Sequence, residues 1–240
     1  MIKLFRNIRK KLINKSKIAS YLLYAIGEII LVMIGILLAL QVNSYYQNLQ
    51  DRKLEYSLLK ELQNNIKNDS LSIASKLNNF KRISDNVFYL DSIIRFKRPY
   101  EKKVDSAFGV ISTFTVTESN YVPFDKIKTL KNGIIKNDSL FNSLSNYYNF
   151  SKFLSRVDLY YKNGEYFRKD IYPKYFKGYR YGSYAIVDDY QKILKSNEIK
   201  VAIDYCKNDA EFYYNRTKHR AEHAAELIEM ITNELQRFEK

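Results

Sequence analysis

The longest hydrophobic run in the chain, YLLYAIGEIILVMIGILLALQV, extends from Tyr21 to Val42 and holds only two strongly polar side chains, Glu28 and Gln41. As a helix, these 22 residues rise about 33 Å, enough to cross a hydrocarbon core of about 30 Å. Tyr21 and Tyr24 stand at one end and Tyr45 and Tyr46 at the other, the positions of an interfacial aromatic belt. A cleaved signal peptide has a shorter apolar region, about 7–15 residues, closed by a small-x-small site. Here the run is longer and ALQVNS offers no such site. The pattern therefore predicts an uncleaved transmembrane helix over 20–43.

Beyond the span the apolar residues keep helical spacing. Leu49, Tyr56, Leu59, Leu62 and Ile66 continue a stripe free of Gly and Pro, so the span is expected to run on as a stalk toward Asn68. NDS at Asn68–Ser70 reads as a break with a new N-cap. A second series, Ile73, Leu77, Phe80, Val87, Leu90 and Ile94, ends before the loop marked by Pro99. FGVISTFTVTES is β-branched, but a lone strand lacks a partner, so a helix followed by an extended loop through NYVPF is preferred. FDKIKTLKNG reads as a short helix with Gly133 as C-cap. The next helix is capped at Asp138 or Ser139 and ends near Gly164. DIYPKYFKGYRYGSY is the least regular stretch. The last helix, from Asn197 toward Lys240, carries an apolar seam at Ala210, Tyr214, Thr217, Ala221, Ala224, Ile228, Ile231, Leu235 and Phe238, suited to antiparallel bundle packing.

Composition agrees with helices: among 240 residues there are seven Gly and three Pro. The single Cys206 excludes an intramolecular disulfide, so the domain beyond the span must be held by its core. Charge is uneven. Half of the net +14 lies in the first 19 residues, whose bases include Lys3, Arg6, Arg9, Lys10 and Lys11 and which have no acid. That places the N-terminus on the cytoplasmic side and points to a membrane surface rather than nucleic acid. Met1, Phe5, Ile8 and Leu12 also fit a short amphipathic helix lying on the inner leaflet, and a plain basic topogenic flank fits equally.

Within the span, Ala25, Glu28, Val32, Gly35, Ala39 and Val42 follow alternating spacings of three and four. The seam gathers most of the small residues and the one acid. Small residues let helices approach closely, and an ionisable group in a membrane normally faces protein or water. This predicts self-association along the seam, with Gly27 beside it. The bland alternative is that Glu28, about 10 Å in from Tyr21, reaches headgroups by snorkelling; ion coupling through Glu28 is a weaker reading.

The N-terminus MIKLFRNIRKKL, followed by KIASYLLYAIGEIILVMIGILLALQVN, resembles a family of uncharacterised membrane proteins of Bacteroidota whose members carry a YAIGEIxLVxIGILxALQxN segment. The likeness covers nearly all of 1–43. Gly27, Glu28, Gly35, Gln41 and Asn43 stand at positions of the shared motif, and Tyr45 or Tyr46 stands where relatives usually carry Trp. KTLKNGIIKNDSLFNSLSNYY is similar more loosely. The resemblance implies an inner-membrane protein with one anchor and a helical periplasmic domain, and it implies no activity.

Two stretches offer chemistry. HRAEH at His219–His223 matches the H-x-x-E-H pattern of inverted zinc peptidases, with Glu222 as base. A third protein ligand is not evident, although Glu226 shares the face, so the preferred reading is a solvated helix face with no metal. Tyr175, Lys177, Tyr179, Arg180 and Tyr181 interleave rings with bases, as ligand-stacking surfaces do. A packed connection with bases left in water is the stronger reading, and glycan, anionic lipid or an acidic protein would be the ligand otherwise. Phosphate-binding glycine loops and nucleophile elbows are absent from the sequence. The expectation is an all-α protein with a basic segment at 1–19, a transmembrane helix at 20–43 and a periplasmic helical domain at 44–240. Its expected role is a non-enzymatic scaffold without cofactors. Its expected partners are inner-membrane lipids, other copies of itself or another envelope protein, and not nucleic acid. An envelope sensor or an ion-coupled subunit is the alternative.

Overall fold

The computed structural model describes residues 18–113, 119–130, 133–160 and 163–239. The basic segment with Lys3, Arg6, Arg9, Lys10 and Lys11 lies outside the described residues. The fold is all-α, with one short hairpin. Helix α1 (Ile18–Arg95) runs through the apolar segment and on into the domain as a single element. There follow α2 (Lys102–Val110), α3 (Val122–Thr129), α4 (Asp138–Tyr160) and α5 (Asn163–Tyr166). A π-helical turn (Phe167–Ile171), α6 (Tyr172–Tyr175), strands β1 (Phe176–Arg180) and β2 (Tyr184–Val187), α7 (Tyr190–Lys195) and α8 (Asn197–Gln236) complete it.

The chain divides into two units, one ending at Leu54 and the other Glu55–Lys240. In the first, side chains such as Leu31, Met33, Leu37 and Val42 are more than half exposed along a bare helix. It contains the one stretch, among the described residues, long and apolar enough to cross a membrane. Tyr45 and Tyr46 close this stretch as an exposed edge-to-face pair.

The second unit is built on α1 from Glu55, α4 and α8. Leu59, Leu62 and Ile66 of the predicted stripe and Ile73 of the second series are fully buried, Leu58 joins them, and Leu49 is exposed; each such buried side chain contributes about 1.5–3 kcal/mol of burial. The expected break at Asn68–Ser70 does not occur. Ser70 Oγ donates back to the Ile66 carbonyl at 2.9 Å, a bond that leaves the helix whole. Asp69 turns inward to a buried partner instead of capping a new helix. Asn137, not Asp138 or Ser139, caps α4: its Oδ1 accepts from Leu140 N at 3.1 Å. Helix α3 ends at Thr129, before Gly133, whose φ of +78° serves a turn further on.

The irregular stretch folds into the hairpin. Gly182, at φ +68°, makes its turn, and a bulge near Lys177 breaks the register between Phe176↔Val187 and Gly178↔Ile186. The hairpin lies so close on α2 that a Cβ on Gly109 would sit 2.2 Å from Tyr184 N. Gly182 N donates to Gly109 O at 3.0 Å across the same contact. The last part of α1, α2, the π-turn, α6, the hairpin, α7 and the start of α8 enclose the main core around Phe80, Phe108, Phe167 and Ile203.

Candidate functional site

A layer of buried polar side chains joins helices of the domain. Arg220, on α8, is 2% exposed and lies 3.5 Å from Asp69 Oδ2 of α1. Its guanidinium also donates to the Ser119 hydroxyl and lies 5.8 Å from the Tyr147 ring centre. Tyr147 OH donates to the same Asp69 oxygen at 3.1 Å. One step along, Asn65 Nδ2 donates to Tyr148 OH at 2.9 Å and to the Asn120 carbonyl at 2.8 Å. Phe124 of α3 stacks on Tyr148 at 4.7 Å. Burial pushes the Tyr147 hydroxyl up to about 12 and raises that of Tyr148 as well, so both stay protonated, Tyr147 as a donor to Asp69 and Tyr148 as an acceptor from Asn65. This layer joins three helices and the coil leading into α3, and its groups bond one another inside a packed interior. The sequence does not reveal this layer, because a lone Arg in a helix rich in charge looks solvated and Asp69 within NDS reads as part of a helix cap.

The aromatic and basic stretch is split. Tyr175 is 5% exposed, and its hydroxyl donates to Glu198 Oε2 at 2.6 Å and lies 2.7 Å from Ser196 Oγ at the start of α8. Lys174 also bonds Glu198, and that ion pair, more than the tyrosine, holds the Glu198 carboxyl below its usual range. Tyr179 stacks on buried Tyr172 at 4.1 Å. Lys177, Arg180 and Tyr181 stay exposed on the hairpin. Of the five expected ligand residues, Lys177, Arg180 and Tyr181 are exposed, Tyr179 is exposed but stacked on Tyr172, and Tyr175 belongs to the core.

His219 and His223 border an open groove of about 430 Å³ with Asn146, Phe150, Glu222 and Glu226. His219 is exposed, but His223 is half-buried, so this is not simply a solvated face. Ser143 Oγ lies 3.0 Å from His223 Nε2, and burial lowers the affinity of this ring for a proton.

In the membrane-length segment, Ala25, Glu28, Val32, Gly35 and Ala39 lie along one stripe of α1, while Gly27 falls about 100° round the helix from Glu28. A Cβ at Gly27 or Gly35 would meet nothing within 4 Å, so both glycines leave open surface. Cys206 is buried and its thiol is pushed up by that burial, which makes it a core residue rather than a nucleophile. Compared with known protein families, curated proteins and solved structures, the chain matches none.

Proposed function

We propose that this protein is a non-enzymatic, membrane-anchored scaffold of the bacterial inner membrane that assembles through its anchor helix. In this reading the N-terminus is cytoplasmic and the domain after residue 43 is periplasmic. The observation that carries it is the exposed apolar surface of α1 from Leu22 to Val42, which water would not tolerate and a bilayer would cover. The basic residues before Ser20 support the orientation through the positive-inside rule. The open stripe at Ala25, Glu28, Val32, Gly35 and Ala39 supports helix-to-helix packing, and the likeness of residues 1–43 to a Bacteroidota membrane family agrees with it. Lipids and other copies of the chain are the partners this implies.

A transducer is the second reading. One observation favours it: Asp69, half of the buried ion pair, and the apolar span belong to one continuous helix. A ligand that displaced Asp69 would act on the same element that crosses the bilayer.

Topology is tested with single cysteines in a Cys206→Ser background, one at Ser16 and one at Ser183 in the exposed hairpin turn. A membrane-impermeant thiol reagent applied to cells with a permeable outer membrane should label position 183, and position 16 only after lysis. Labelling in the opposite order would overturn the orientation.

A further inference from the structure

We propose that His219 and His223 form a two-point clamp for a divalent transition-metal ion of the zinc, nickel or copper type, in the open groove between α4 and α8. The site is independent of the scaffold reading. These are the only two histidines in the chain, and they fall four residues apart on one helix. Residues at that spacing share a face. The ring centres are 6.4 Å apart, within reach of one ion after small side-chain rotations.

Neither ring is loosely held. Phe150 meets His219 edge-on at 5.3 Å, and Tyr147 meets His223 edge-on at 5.7 Å. Ser143 Oγ stands 3.0 Å from His223 Nε2. With the proton on Nε2, the imidazole donates to this hydroxyl and keeps its Nδ1 lone pair for a metal. A ligating histidine is usually oriented in this way by a partner on its other nitrogen.

Glu222 and Glu226 line the same groove and supply carboxylate oxygens and negative charge beside the cation, although Glu222 also lies 3.8 Å from Lys218. The groove has room for water to complete the coordination. Imidazole donors select zinc, nickel and copper over magnesium and calcium. No three His, Cys, Asp or Glu side chains converge on a point among the described residues. The site is accordingly an open, exchangeable clamp, unlike a closed structural centre or a three-ligand catalytic zinc.

The test is calorimetric titration of the full-length, detergent-solubilised chain, purified without a histidine tag, with Zn²⁺ and Ni²⁺ in turn. His219→Gln, His223→Gln, the double variant and Glu226→Gln are titrated beside it. Because His219 is exposed, its variant removes a surface ring contact with Phe150 and leaves the buried core untouched. The expected result is one saturable site per chain, weakened roughly tenfold or more by either single histidine change and abolished by both. Glu226→Gln should weaken it by a smaller factor, and zinc should raise the melting temperature of the parent protein but not of the double variant. Equal binding by the double variant, or the lack of saturable binding below millimolar metal, would overturn the proposal.

Discussion

Arg220 sits in the middle of the domain with its charge balanced by Asp69 and its guanidinium against Tyr147 and Ser119. Removing one member of a buried pair costs about 3–5 kcal/mol, because the other charge is stranded, whereas replacing both with apolar side chains is often neutral. Arg220→Met should therefore lower the unfolding free energy of the solubilised protein by about that much, and adding Asp69→Leu should restore most of it. Additive losses in the double variant would mean the pair is not coupled. The tyrosines of the interior give a pH signature. Tyr147 is raised from 10.0 to about 12, with burial the main cause, and Tyr172 is raised still further for the same reason. A group with a raised folded pKa contributes stability that is complete below its unfolded value and lost as pH climbs through the folded one, at about 1.4 kcal/mol per unit. Between pH 10 and 12 the protein should lose stability steeply. Tyrosinate absorbance should show exposed rings ionising first and the buried fraction only together with loss of helical circular dichroism.

At the level of elements, helical periodicity read from the sequence located α1, α4 and α8 and the loop at Pro99, because burial on one face repeats with the helical turn. It failed wherever a polar group decides the outcome. In α8 the expected seam shares Ala210, Thr217, Ala224, Ile231 and Leu235 with the buried one, but the alternate positions are Tyr213, Arg220 and Leu227 instead of Tyr214, Ala221 and Ile228. A buried arginine rotates that face by one residue, and no apolar pattern foretells it. The hairpin was hidden for another reason: its neighbour is α2, brought close by Gly109, and not another strand. The aromatic and basic stretch was visible as a composition, yet its rings divide between core and surface only once the hairpin folds over α2. The continuity of α1 makes its own prediction. Backbone amides from Ile66 to Ile73 should exchange with deuterium as slowly as those of the buried turns around Leu62. A locally fast patch at Asn68–Ser70 would indicate the broken helix that the NDS signal suggested.

For the whole molecule, two kinds of surface are assembled by one chain. The domain from Glu55 has a tyrosine-rich interior and solvated charges, while α1 before Leu54 offers an apolar surface with small residues on one stripe. The long apolar helix was legible in the sequence, since a run of that length and hydrophobicity specifies it. The stripe of small residues on which the proposed self-association rests was legible only as a spacing pattern, since pairing depends on a second copy. The measurement that tests the central claim most directly is sedimentation equilibrium of the full-length protein in detergent, beside a Gly35→Leu variant. Within one chain a side chain at Gly35 meets nothing within 4 Å, so this change leaves contacts inside the chain untouched. The account predicts a defined oligomer for the parent protein and a shift toward monomer for the variant, with unchanged helical content. A monomeric parent, or an oligomer indifferent to Gly35→Leu, would contradict it.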